Sequence, residues 1–134
     1  MIDPASQPEA KTTRVAVVDD DASVRRAFAR LLRASGFEPL GFACAEEFLE
    51  ETSRVDCVVL DLQLGGMSGL DLQRELETRG SSVPIIFVTA HATFESRARA
   101  QQAGSAGFFE KPIAGDVLLA AVRRALAGAE RERD

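Results

Sequence analysis

The sequence predicts an α/β fold: a doubly wound, five-stranded parallel sheet flanked by five helices. Three observations carry that expectation. Short apolar runs rich in β-branched residues alternate with longer stretches of helical periodicity, five times over. The runs beginning at Val55 and Val83 are apolar nearly throughout, the pattern of strands buried on both faces. The connections are short, and with right-handed crossovers they make the strands parallel and put helices on both faces. The 134 residues suffice for one domain with a real core. A composition of 46 % apolar and 28 % charged residues suits a globular chain. The net charge of −5 argues against a nucleic-acid-binding surface. No apolar run is long enough for a membrane span. Cytoplasm is the expected location.

Residues 1–13 read as a disordered, polar lead-in with no apolar core for a secretory signal. Arg14 to Asp19 is the first strand, ending in the acids Asp19, Asp20 and Asp21. Ala22 to Ser35 follows with Val24, Phe28, Leu31 and Leu32 on one helical face, Asp21 or Ser23 as cap and Gly36 as stop. Phe37 to Phe42 is a second strand despite Pro39 and Gly41, and Ala45 to Thr52 a short helix with Phe48 and Leu49 inward. Val55 to Leu60 is the third strand, with Cys57 as a small buried thiol rather than a disulfide or metal ligand. Ser68 caps the next helix, with Asp71 completing a capping box, and Gly80 ends it near Arg79. Val83 to Ala90 is the fourth strand. Thr93 to Gly104 is a helix with a thin apolar face of Phe94, Ala98 and Ala103, so it should be weakly anchored. Gly107 to Glu110 is the fifth strand, and Ile113 to about Gly128 the last helix. The domain therefore spans 14–128, and residues 129–134 form a charged tail.

Polar residues stand at the carboxyl ends of four strands, where open α/β sheets place their functional crevice. The first strand gives Asp19 and Asp20, the third Asp61, the fourth Thr89 and the fifth Lys111. Neighbouring strands lie about 5 Å apart, so these groups should converge. Clustered carboxylates repel one another unless a cation intervenes. A hard divalent ion with oxygen ligands is the natural counter-charge, and Mg²⁺ suits one or two carboxylates plus phosphate oxygens. Lys111 and Thr89 add a positive charge and a donor, a set suited to a phosphoryl group. Asp61, on the central strand, is the best-placed nucleophile, and attack on phosphorus would yield an acyl phosphate. Plainer readings stand beside these. Asp19 to Asp21 could be helix-capping acids, which is the favoured reading for Asp21. Phe108 and Phe109 are more often core, one pointing in and one out. His91 reads as a surface loop residue.

Four segments carry a family resemblance: VVDDD (Val17–Asp21), VVLDLQLGGMSG (Val58–Gly69), FVTA (Phe87–Ala90) and EKP (Glu110–Pro112). In this order they resemble the signatures of response-regulator receiver domains of two-component signalling. The resemblance implies a flavodoxin-like sheet of order 2-1-3-4-5. It implies that Asp61 accepts a phosphoryl group from a histidine kinase phosphohistidine. Asp19, Asp20, Asp61 and the Gln63 backbone carbonyl would bind Mg²⁺ (or Mn²⁺), and Lys111 would contact a phosphoryl oxygen. Thr89 would move toward the phosphoryl group, Phe108 would turn inward as the switch aromatic, and the fourth helix, fifth strand and fifth helix would form the output face. The implied partners are a sensor kinase or phosphotransfer protein, and a downstream target or an output domain. A phosphorylation-dependent homodimer is a further option, while the net charge and the lack of a long apolar run argue against nucleic acid or membrane binding by this chain.

The chain departs from the family where Leu64-Gly65-Gly66 replaces the usual Met-Pro, which should loosen that loop. Gln63 and His91 occupy positions that tune acyl-phosphate lifetime in the family. A receiver acts only on its own phosphoryl group and is not a turnover enzyme. Two alternatives stand beside this reading. A Mg²⁺-dependent aspartyl phosphatase would need an acid where Gln63 stands. A phosphorylation-independent adaptor would not need the intact Asp61, Thr89 and Lys111.

Overall fold

The structure, a computed structural model, describes residues 12–133. Its elements run β1 (Arg14–Val18), α1 (Ala22–Ala34), β2 (Glu38–Phe42), α2 (Ala45–Leu49), β3 (Cys57–Leu60), α3 (Gly69–Thr78), β4 (Ile85–Thr89), α4 (Phe94–Gln102), β5 (Gly107–Glu110) and α5 (Gly115–Arg133). The strands form one parallel sheet in the order β2-β1-β3-β4-β5, as expected.

Alternation along each strand feeds two cores. Ala16, Val18, Val58, Leu60, Ile85, Phe87 and Phe108 face α2, α3 and α4, meeting Phe48, Leu72, Leu76 and Ala100. Val15, Val17, Cys57, Val59, Ile86 and Val88 face α1 and α5, meeting Leu32, Leu118, Val122 and Ala125. Each large aliphatic or aromatic side chain buried this way contributes about 1.5–3 kcal/mol. Phe109 packs against the second core. Phe108 and Phe109 thus do point to opposite faces, but both faces are covered, so neither ring points out to solvent.

Local chemistry sets the boundaries. The Asp21 carboxylate caps α1 by accepting from the Ser23 and Val24 amides. Ser68 and Asp71 form the reciprocal capping box of α3. Pro39 and Gly41 are tolerated because β2 is an edge strand. The Glu38 amide points inward to the Thr13 carbonyl at 2.9 Å, so the next position, Pro39, turns its missing N–H to the open edge.

Four expectations need correction. The expected lead-in runs through residue 13, yet the Thr12 and Thr13 carbonyls accept from Arg54 and Glu38 and join the sheet's border; residues 1–11 lie outside the described part. The expected tail continues α5 through residue 133 instead, since Ala129, Glu130 and Arg131 are good helix formers; residue 134 lies outside the described part. Helix α2 stops at Leu49, three residues early. On α4, Ala100 rather than Phe94 is the buried contact, and Phe94 is 91 % exposed. Phe94 is the first residue of α4, where a side chain can point past the end of the sheet. Among the described residues no helix is long and apolar enough to cross a membrane.

Candidate functional site

Register alone brings the acids together. Val18 pairs with Leu60, so Asp19 and Asp61, the next residues of β1 and β3, leave the sheet side by side. The Asp61 amide donates to the Val18 carbonyl at 3.0 Å and the Asp19 amide to the Phe42 carbonyl at 3.1 Å. Lys111 follows β5, and its amide donates to the Thr89 carbonyl at 2.8 Å across the end of β4. From there Lys111 Nζ reaches back over the sheet to Asp19 Oδ2 at 2.7 Å and Asp61 Oδ2 at 2.9 Å.

Each buried acid is held at both oxygens. Asp19 Oδ1 accepts from the Asp21 amide at 2.9 Å, and Asp61 Oδ1 from the Gln63 amide at 3.1 Å. Both carboxylates are buried, while the third acid, Asp20, is exposed. One oxygen from each of Asp19, Asp20 and Asp61 lies within 4.8 Å of the others. Three acids therefore gather where one ammonium bonds to two of them. Burial pushes the Asp19 carboxyl up from its ordinary value, against the lowering pull of Lys111 and the Asp21 amide, and the charge of Asp61 adds to the rise. Burial alone would lower Lys111, but its hydrogen bonds to Asp19 and Asp61 and their charges outweigh it and raise it. The cluster thus favours extra positive charge. An all-oxygen donor set with one solvent-facing member fits a hard divalent cation.

The other sequence-predicted residues surround this centre. Thr89 is fully buried, and its hydroxyl accepts from the His91 amide at 3.2 Å rather than bonding to a carboxylate. His91 is an exposed loop residue, as expected, and so is Gln63. Phe108 is already turned inward, with its ring 5.9 Å from that of Phe87.

Three residues that support the site escaped the sequence reading. Arg25 of α1 donates to the Asp19 carbonyl at 2.7 Å. Glu46 of α2 accepts from the Met67 amide in the β3–α3 loop at 3.2 Å. Arg97 of α4 lies over the Phe108 ring, 4.6 Å from its centre, and donates to the Phe108 carbonyl at 3.3 Å. Each is a long polar side chain on a helix face that periodicity marks as solvated, and spacing carries no signal of its reach to another element.

A concavity of about 460 Å³ opens elsewhere, lined by Gln73, Leu76, Pro84, Gly104 and Arg124. It sits at the amino end of β4, opposite the acids, and holds no comparable cluster.

A sheet of order 2-1-3-4-5 with buried acids and a lysine at its carboxyl edge defines a class, and comparison with known proteins agrees. The family model described as the response regulator receiver domain matches residues 15–123. The chain belongs to this family of two-component signalling domains. Among curated relatives, Nodulation protein W of Bradyrhizobium diazoefficiens is 41 % identical over 128 residues, covering 93 % of this chain and 55 % of that protein. Response regulator protein TodT of Pseudomonas putida is 38 % identical over 119 residues, covering 87 % and 52 %. The chain spans about half the length of these relatives. Among solved structures, response regulator StyR matches with a TM-score of 0.84 at 41 % identity, covering 92 % of this chain and 64 % of that one. FixJ-N matches with a TM-score of 0.80 at 32 % identity, covering 88 % and 96 %.

Proposed function

We propose that Asp61 is the phosphoacceptor of a two-component phosphorelay. The observation that carries this reading is the Lys111 ammonium bridging Asp19 and Asp61 at 2.7 and 2.9 Å. An Asp61 oxygen attacks the phosphorus of a donor phosphohistidine. A new O–P bond forms as the P–N bond breaks, and its electron pair returns to the imidazole. Lys111 then trades its bond to Asp61 for one to a phosphoryl oxygen while keeping Asp19. Asp19, Asp20 and Asp61 would hold Mg²⁺ or Mn²⁺, with the Gln63 carbonyl as a further ligand. When bound, the ion neutralises charge on the phosphoryl oxygens.

Thr89 uses a lone pair toward His91. Its proton is thereby suited to donation, and we read Thr89 as the residue that turns to the phosphoryl group. Phe108 and α4 would carry that turn to the α4–β5–α5 face. Support comes from the anchoring of α4, whose buried side is only Ala100 and whose Arg97 grips β5. The chain acts on its own phosphoryl group and is not a turnover enzyme. Its regulator relatives suggest a kinase donor and an output segment, a downstream target or a phosphorylation-dependent homodimer as the receiver of the signal.

Titration with Mg²⁺ and then beryllofluoride, a phosphoryl mimic, tests this by amide NMR and sedimentation. Shifts at Asp61, Thr89 and Phe108 that spread into α4 are expected. No response with both present would refute the switch and favour an adaptor that works without phosphorylation.

A further inference from the structure

We propose that Glu46 is a positioning residue for the β3–α3 loop, a carboxylate strap replacing the stiffness that Leu64-Gly65-Gly66 gives up. The metal consequence drawn below rests on the reading of the acid cluster given above; the strap itself does not.

The loop from Leu62 to Gly69 is fixed at its base. The Gly69 amide donates to the Leu62 carbonyl at 2.9 Å. A Cβ at Gly69 would lie 2.2 Å from the Asp61 carbonyl oxygen, so only glycine permits this approach. The tip has no such closure. A Cβ at Gly65 would meet nothing within 4 Å, and Gly66 adopts φ +81°, a left-handed conformation that side chains disfavour. Adjacent glycines of this kind are the most mobile backbone a loop can have.

Glu46 supplies the missing restraint. Its Oε2 accepts from the Met67 amide at 3.2 Å, and the same oxygen lies 2.8 Å from where a Gly66 Cβ would stand. The carboxylate thus fills the side-chain space that Gly66 leaves free. Its base is firm although α2 is short: Ala45 and Phe48 are buried, and Phe48 meets Phe42 edge-on at 5.4 Å. Gln63 sits within the strapped loop, and its amide holds Asp61 Oδ1 at 3.1 Å. Slack at the tip would therefore reach both the Asp61 carboxylate and the Gln63 carbonyl, two of the groups assigned to the metal.

The test compares Glu46→Ala and Glu46→Gln with the parent chain, by amide hydrogen exchange without metal and by Mg²⁺ titration. Glu46→Ala should speed exchange at Met67 and weaken Mg²⁺ binding roughly tenfold, the low end for losing an outer-shell support. Glu46→Gln retains an oxygen that accepts the Met67 bond, so it should restore both. Gly66→Ala should also disturb this contact, and since its strain at φ +81° does not depend on Glu46, only the contact's share of its effect should vanish in the Glu46→Ala background. Unchanged Met67 exchange in Glu46→Ala would overturn the proposal. So would a Gln variant as impaired in Mg²⁺ binding as the Ala variant, which would make the effect one of charge. A parent chain that binds no Mg²⁺, yet shows the Ala-specific exchange with Gln rescue, would refute the metal reading and support the strap.

Discussion

Replacing Lys111 with methionine should destabilise the metal-free protein by about 2–3 kcal/mol at neutral pH. Lys111 is the cation hydrogen-bonded to both Asp19 and Asp61, whose side chains are only 4 % and 8 % exposed. Removing one partner of a buried ion pair costs about 3–5 kcal/mol, because the remaining charge is left uncompensated. The lower figure is expected here because Lys111 is 19 % exposed, so water already reaches the cluster. For a domain of this size the loss lowers the melting temperature by roughly 10 °C. The pH dependence has a definite sign. Asp19 is raised from 3.8 in the folded state, so its contribution to stability is present below 3.8 and lost as pH rises through the raised value. Without Lys111 the pull that lowers Asp19 disappears, its folded pKa climbs further, and the deficit of the variant shrinks on acidification. Lys111 itself is raised from 10.5, so the parent keeps its contribution below 10.5 and loses it as pH rises through the higher folded value. Urea denaturation in EDTA from pH 4 to 8 reads the deficit and its shrinkage on acidification, with Lys111 charged throughout, and added Mg²⁺ should recover part of the loss in the variant. A variant within 0.5 kcal/mol of the parent throughout that range, an interval typical of neutral surface changes, would refute the picture of Lys111 as the charge that holds the acids together.

Three further outcomes follow from the geometry. Arg97→Ala removes the cation over Phe108, a contact worth about 0.5–2 kcal/mol, and should increase the motion of that ring; aromatic NMR line shapes identical to the parent would contradict this. Gly69→Ala forces a Cβ into the Asp61 carbonyl and should cost about 1–3 kcal/mol in thermal unfolding, whereas a neutral result would mean that the loop base yields. Burial pushes the Cys57 thiol up to about 12, so under native conditions a thiol reagent should modify Cys44 and leave Cys57 until the chain unfolds; equal labelling of both would show that β3 opens.

The sheet was legible because its strands are short apolar runs with polar ends, and the same polar ends disclosed Asp19, Asp61 and Lys111. Parallel register converts one-dimensional positions into neighbours, so the central cluster needed no knowledge of side-chain reach. The doubly covered sheet also explains where alternation misled: it separates Phe108 from Phe109 but cannot make one of them exposed. Phe94 of α4 defies its apolar period because a residue in the first turn can overhang the sheet end while still fitting that period. The charged residues after Gly128 looked like a tail because charge marks solvent exposure, yet helix propensity carries α5 through them. Arg25, Glu46 and Arg97 were illegible for a different reason. Their roles depend on which loop or strand lies beside a helix face, and that is fixed by packing between elements rather than by any local pattern.

The most direct test of the central claim is phosphoryl labelling of the chain with a small-molecule phosphodonor and Mg²⁺, read by intact mass and peptide mapping. A single phosphoryl group on Asp61 is expected, dependent on Mg²⁺ and absent from Asp61→Asn, which should remain folded because it relieves repulsion among three acids. Label that persists on folded Asp61→Asn, or that maps to another residue of the parent, would contradict the account.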